Sequence, residues 1–255
     1  MDYAKAKDAF EKFVSNYDKT NNKIARKIEH THEVVKLSEA LARFLKLSDE
    51  DIYLAKIIAL LHDIGRFDQV NFFDSFDDDM TIDHADHGNK LLFSDGLIRD
   101  FVDDYRFDEI IKSAIKNHNK YAIEDDLSDR QLLHSQIIRD TDKIDIYRVI
   151  YEHGFLSENV FGPNDVISDE SFADFMNGKL LNHQKKKTKI DNQLSYLAFI
   201  FDINFDISLK YIREKDYINK ILGRFAYENP DTAHKMKIVQ KHANDYLAQK
   251  LLGRT

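Results

Sequence analysis

The sequence contains no cysteine and no tryptophan, and only two prolines and eight glycines among its 255 residues. The missing thiols exclude disulfides, thiolate nucleophiles, iron-sulfur clusters and cysteine-ligated zinc, so any bound metal must be held by histidine and carboxylate. Scarce glycine and proline argue against a sheet-rich fold, whose tight turns draw on both. Pro163 and Pro230 both lie past the midpoint, leaving the first 162 residues free of any obligate helix breaker. No stretch approaches the roughly 20 apolar residues of a membrane span. Met1 to Phe10 lacks the apolar core of a signal peptide. These absences predict an all-α, cytoplasmic protein with no membrane partner.

Charge excludes a further class. A net charge of −8 counts against a nucleic-acid polymer as partner, because phosphate contacts need a continuous basic face. The short run Lys185, Lys186, Lys187 and Lys189 reads as a solvated loop. The 43% of hydrophobic residues can fill a substantial core. No linker or repeat demands a second domain. One domain over 1–255 is expected, with its core at about 23–150 and a helical extension over about 151–255.

Apolar spacing places the helices. Phe10, Phe13, Val14 and Tyr17 mark a first amphipathic helix, and His30, Val34, Leu37, Leu41 and Phe44 line one face of a second. Ser48 with Asp51 forms a capping signal for a nearly all-apolar helix running to Ile64, with Gly65 expected as its C-terminal cap. The acidic, aromatic stretch from Arg66 to Asp83 has no clean period and reads as a loop. Helices resume around His84 to Leu92 and Ile111 to His118. Ser128 with Gln131 signals another start, for a helix reaching about Ile150.

The chemistry-bearing residues are eleven histidines and many aspartates. No Gly-x-Gly-x-x-Gly, P-loop, Gly-x-Ser-x-Gly or His-Glu-x-x-His occurs. Instead His30, His62, Asp63, His84, His118 and Asp142 fall on the inward faces of successive predicted helices. Burying such groups costs free energy unless something satisfies them, and a metal ion does so by coordination.

The segments His30-Thr31-His32-Glu33-Val34, Ile57 to Arg66 with its His62-Asp63-Ile64-Gly65-Arg66 ending, and Ile137 to Lys143 resemble the HD superfamily of metal-dependent phosphohydrolases. The resemblance spans about 23–148. It implies one metal on His30, His62, Asp63 and Asp142. His84, four residues before Gly88, and His118, within Asn117-His118-Asn119, resemble the further ligands of the dinuclear branch; a second metal would take them and share Asp63 as the catalytic carboxylate. His87 is the neighbour that would replace His84 in another register, or else contact substrate.

Imidazole and carboxylate suit Fe, Mn, Co, Ni or Zn, so one or two such divalent ions are the implied cofactor. The implied substrate is a small phosphorylated molecule, a nucleotide foremost, cleaved at a phosphate ester or anhydride. Arg66 and Lys143 are the cations assigned to its phosphate, ahead of Lys120 and Arg139; Arg66 has the alternative of capping a helix, and Lys143 of pairing with Asp140 or Asp145. His32 and Glu33 are candidates to orient a ligand imidazole. His134, His153, His183, His234 and His242 are expected to be solvent-facing or structural. Two other readings stay open: a di-iron oxygenase on a similar ligand set, and a non-catalytic ligand sensor. The residues do not determine an oligomeric state.

Overall fold

The computed structural model describes residues 2–154, 161–181 and 186–252. His183 and Lys185 fall outside them. The described residues form helices and turns with no strand among them, so the protein is all-α as its composition predicts. The chain divides into two compact units, 1–142 and 143–255.

The first unit comprises α1 (Tyr3–Val14), α2 (Asn22–Phe44), α3 (Asp49–Leu61), α4 (Ile64–Phe73), α5 (His84–Asn89), α6 (Ile98–Phe101), α7 (Asp108–Asn117) and the first half of α8 (Asp129–His153). Ser48 caps α3 as its spacing predicts, with its Oγ accepting from the Asp51 nitrogen at 3.1 Å. Ser128 and Gln131 pair at the start of α8, the Ser128 nitrogen donating to Oε1 at 3.0 Å. Helix α3 is the centre of the unit. Leu54, Ile57, Ile58, Ala59, Leu60 and Leu61 are all buried on it, and α1, α2 and α7 pack around it.

Two expectations are corrected. The stretch after Arg66 is not a loop from its start, because α4 occupies Ile64–Phe73. Ile64, Phe67 and Val70 bury one face at helical spacing, whereas Phe72 and Phe73 are exposed and blur the pattern. The loop begins only at Asp74, whose left-handed conformation (φ 47°) ends α4.

Gly65 is likewise not a cap. The helical path breaks before it, at Asp63 (φ −105°, ψ 17°), and Gly65 lies inside the first turn of α4. A Cβ there would collide with the His84 carbonyl and lie 2.8 Å from the Gly88 nitrogen. The glycine is needed for the close approach of α4 to α5.

The second unit begins within α8 and continues through α9 (Asp169–Met176), α10 (Lys189–Leu197), α11 (Asp206–Glu214), α12 (Tyr217–Leu222) and α13 (Pro230–Leu252). Its core gathers Phe175, Leu194, Leu197, Ile212, Ile221 and Val239. Helix α13 packs on α9, α11 and α12. No helix among the described residues is long and apolar enough to cross a membrane.

Candidate metal centre

The six histidines and aspartates singled out by their helical faces converge within the first unit. His30 comes from the middle of α2, His62 closes α3, and Asp63 stands at the break before α4. His84 is the first residue of α5, His118 follows the last of α7, and Asp142 lies in α8. His30, His62, Asp63, His84 and His118 are all buried.

They form two groups sharing one carboxylate. In the first, His30, His62, Asp63 and Asp142 each offer a ligand atom within 4.8 Å of the others. His62 Nε2 lies 3.2 Å from Asp63 Oδ2, and His30 Nε2 lies 3.5 Å from the same oxygen and 3.1 Å from Asp142 Oδ1. In the second, His84 Nε2 and His118 Nε2 lie 3.2 and 3.6 Å from Asp63 Oδ1. Atoms bound to one ion at about 2.0–2.2 Å stand roughly 2.8–3.6 Å apart, so spacings of this order suit two ions with Asp63 between them.

The imidazoles are oriented from behind. His62 Nδ1 donates to the Ala59 carbonyl at 2.7 Å, His118 Nδ1 to the Ile115 carbonyl at 2.6 Å, and His84 Nδ1 to Asp78 Oδ2 at 2.7 Å. Those acceptors place the proton on Nδ1, leaving Nε2 of the neutral ring as a lone pair facing the group. His84 Nε2 and His118 Nε2 approach to 2.9 Å. Two lone pairs repel at that distance, and a shared cation would turn the repulsion into coordination. Nε2 of His62 is buried without a hydrogen-bond partner. Coordination would supply what this buried atom lacks.

Charge favours a cation in the same place. Burial alone would raise the Asp63 carboxyl, but Lys27 and the surrounding imidazoles hold it well below the usual carboxylate range. Burial is likewise overcome at Asp142, by His30 and His62. His62 is raised, because Asp63 and Asp142 outweigh its burial. Burial pushes His118 down to about 4 against the pull of Asp63, keeping that ring neutral at pH 7. Two ionised carboxylates among buried imidazoles make a site that draws cations.

The residues assigned to phosphate fare differently. Arg66 stays beside the groups, its Nε 3.6 Å from Asp63 Oδ1, while its Nη1 donates to Asp78 Oδ1 at 2.7 Å and to the Phe76 carbonyl at 2.7 Å. His87 is not brought to either group; its Nε2 donates to Asp68 Oδ2 at 2.8 Å. Lys143 opens the second unit and pairs with Asp202 at 2.9 Å. Lys120 pairs with Asp83 at 2.9 Å. Arg139 is buried and donates to the Asn117 and Lys120 carbonyls at 2.7 and 2.6 Å, bracketing His118. His32 faces Glu11 at 3.1 Å and Glu33 pairs with Lys36, so neither backs a ligand imidazole in these contacts. His134 is a core residue bonded to Asp51 at 3.1 Å.

Two participants escaped the sequence reading. The Lys27 ammonium contacts Asp63 Oδ2, the oxygen that faces His30 and His62. Its position three residues before His30, on the same helical face, was an available signal. Asp78 anchors His84, but nothing in the sequence separates it from its acidic neighbours Asp74, Asp77 and Asp79.

A family model described as HD domain matches residues 28–147, a span that includes all six converging side chains. No curated protein and no solved structure matches the chain.

Proposed function

With residues 28–147 forming an HD domain, we propose that the protein is a metal-dependent phosphohydrolase acting on a small phosphorylated molecule, a nucleotide foremost. HD domains are mostly metal-dependent hydrolases, and the His/Asp groups of this chain fit divalent-metal binding. The observation that carries the proposal is the division of Asp63, whose Oδ2 faces His30 and His62 while its Oδ1 faces His84 and His118.

His30, His62, Asp63 and Asp142 would hold one ion, and Asp63, His84 and His118 a second, from among Fe, Mn, Co, Ni and Zn. Ions held there would lower the pKa of a bound water towards about 7 and withdraw charge from a phosphoryl oxygen. The chain's own part is preorganisation. Helix carbonyls and Asp78 fix the imidazoles before substrate arrives, and Arg66 and Lys27 set positive charge on either side of Asp63 for an incoming phosphate.

The test is phosphate release from a panel of nucleotides and small phosphate esters, using protein loaded with each metal in turn. Hydrolysis by the wild type that falls at least about 100-fold in Asp63→Ala is expected. Metal-loaded wild type that cleaves nothing in the panel, or an Asp63→Ala variant of full activity, would contradict it.

A further inference from the structure

The three imidazoles with a fixed Nδ1 are not fixed in the same way. His62 and His118 each donate to a carbonyl three residues earlier, Ala59 and Ile115, so their own helices orient them. His84 begins α5 and has no preceding helical turn to supply such an acceptor. Its Nδ1 depends on a side chain from the segment between α4 and α5.

We propose that Asp78 is the positioning residue for His84, and that cation binding at Asp63, His84 and His118 depends on its carboxylate. This rests on the metal reading of the site and goes beyond it in coupling one of the two groups to a segment of the chain. Oδ2 accepts from His84 Nδ1 at 2.7 Å and from Asn119 Nδ2 at 3.4 Å. Oδ1 accepts from Arg66 Nη1 at 2.7 Å and Gln69 Nε2 at 2.9 Å. Gln69 Nε2 also donates to Thr81 Oγ1 at 2.8 Å and the Ile82 carbonyl at 2.9 Å, holding the segment to α4 after Asp78, as Arg66 Nη1 does at the Phe76 carbonyl before it.

Every neighbour of Asp78 in this set is a donor, so both oxygens must accept. An asparagine would aim its NH2 at donors on one side, whichever way it turned. Asp78 sits at Nδ1, across the ring from the Nε2 that faces Asp63, so it acts through the imidazole rather than beside it. The first group makes no such demand: His30, His62 and Asp142 have no contact with Asp78 among those described.

The experiment compares the full chain as wild type, Asp78→Asn and Asp77→Ala, titrated with Zn2+ and counted by elemental analysis. Asp77 is the control because it shapes the same segment, accepting from the Asp79 and Met80 nitrogens at 3.0 and 3.2 Å, without touching His84. Two ions are expected in wild type and in Asp77→Ala. In Asp78→Asn one ion is retained, and the other weakens about 10–100-fold. Nitrogen NMR of the histidines should show the Nδ1–H tautomer of His84 lost in Asp78→Asn, with His62 and His118 unchanged. Retention of one ion reports an intact fold. If Asp78→Asn loses both, Asp78→Glu decides, since it keeps two accepting oxygens: restored binding supports the role, and loss in both variants overturns it. The proposal is also overturned if Asp78→Asn binds both ions as wild type does, or if Asp77→Ala loses the same ion. A wild type that binds no metal would instead refute the underlying reading of the site.

Discussion

Gly65 and His84 touch through their backbones: the space where a Gly65 side chain would begin is filled by the His84 carbonyl oxygen. Gly88 completes the contact, with the position of its own absent Cβ 3.4 Å from the Gly65 nitrogen. The approach of α4 to α5 therefore sets how far His84 stands from Asp63, two residues before Gly65.

Gly65→Ala should force these helices apart. The obstructing atoms are backbone, so they cannot turn aside as a flexible side chain would. A loss of about 1–3 kcal/mol in chemical denaturation is expected, with weakened metal binding at His84 and His118. An alanine variant with wild-type stability and metal content would show that the contact is not limiting.

Arg139→Met tests the support behind His118. Removing the guanidinium strands the Asn117 and Lys120 carbonyls on either side of that histidine. Unpaired buried polar groups cost about 1–3 kcal/mol each, so a clear drop in the urea midpoint is expected, together with slower phosphate release. Unchanged stability would return Arg139 to the list of candidate substrate contacts.

Lys27→Met separates charge balance from coordination. The Lys27 ammonium and a divalent ion both draw on Asp63 Oδ2. Removing one competitor should tighten binding at His30, His62 and Asp142 by about tenfold, which corresponds to about 1.4 kcal/mol. In chelator the variant should be less stable, because a buried carboxylate loses its neighbouring cation. Calorimetric titration checks the first effect, and weaker metal binding in the variant would refute the competition.

His134 gives the chelated protein a pH dependence of known sign. Burial lowers its pKa although Asp51 opposes the shift. Asp51 itself falls to about 2, where Ser48, His134 and Arg130 outweigh its burial. Both folded values lie below the unfolded ones, so the unfolded chain binds more protons and stability is lost as the pH is lowered. The His134 contribution is complete above the ordinary value of 6.5 and erodes below it; that of Asp51 erodes below 3.8 towards about 2. Thermal melts from pH 7.5 to 5 should therefore fall more steeply for wild type than for His134→Gln, and parallel curves would contradict the assignment.

What was legible in the sequence was local or thermodynamically costly. Ser48 and Ser128 announce helix starts because capping is settled within one turn. The six converging residues stand out because histidine and aspartate on apolar faces need a reason to be buried. What was hidden depends on partners distant in the chain. Gly65 and Gly88 both stand out in the sequence, but their contact with each other is a product of tertiary packing. Lys143 pairs with Asp202, 59 residues further along the chain, a partner that no local pattern announces. Helix α4 was obscured because Phe72 and Phe73 are apolar yet exposed, so composition misled where burial decided.

The central claim is that Asp63 joins two metal-binding groups. Elemental analysis of wild type and Asp63→Ala, purified in parallel and saturated with one divalent metal, tests it most directly. The account predicts two ions per wild-type chain and a variant that has lost at least one of them, with the remainder bound more weakly. A variant that retains both ions at unchanged affinity would contradict it.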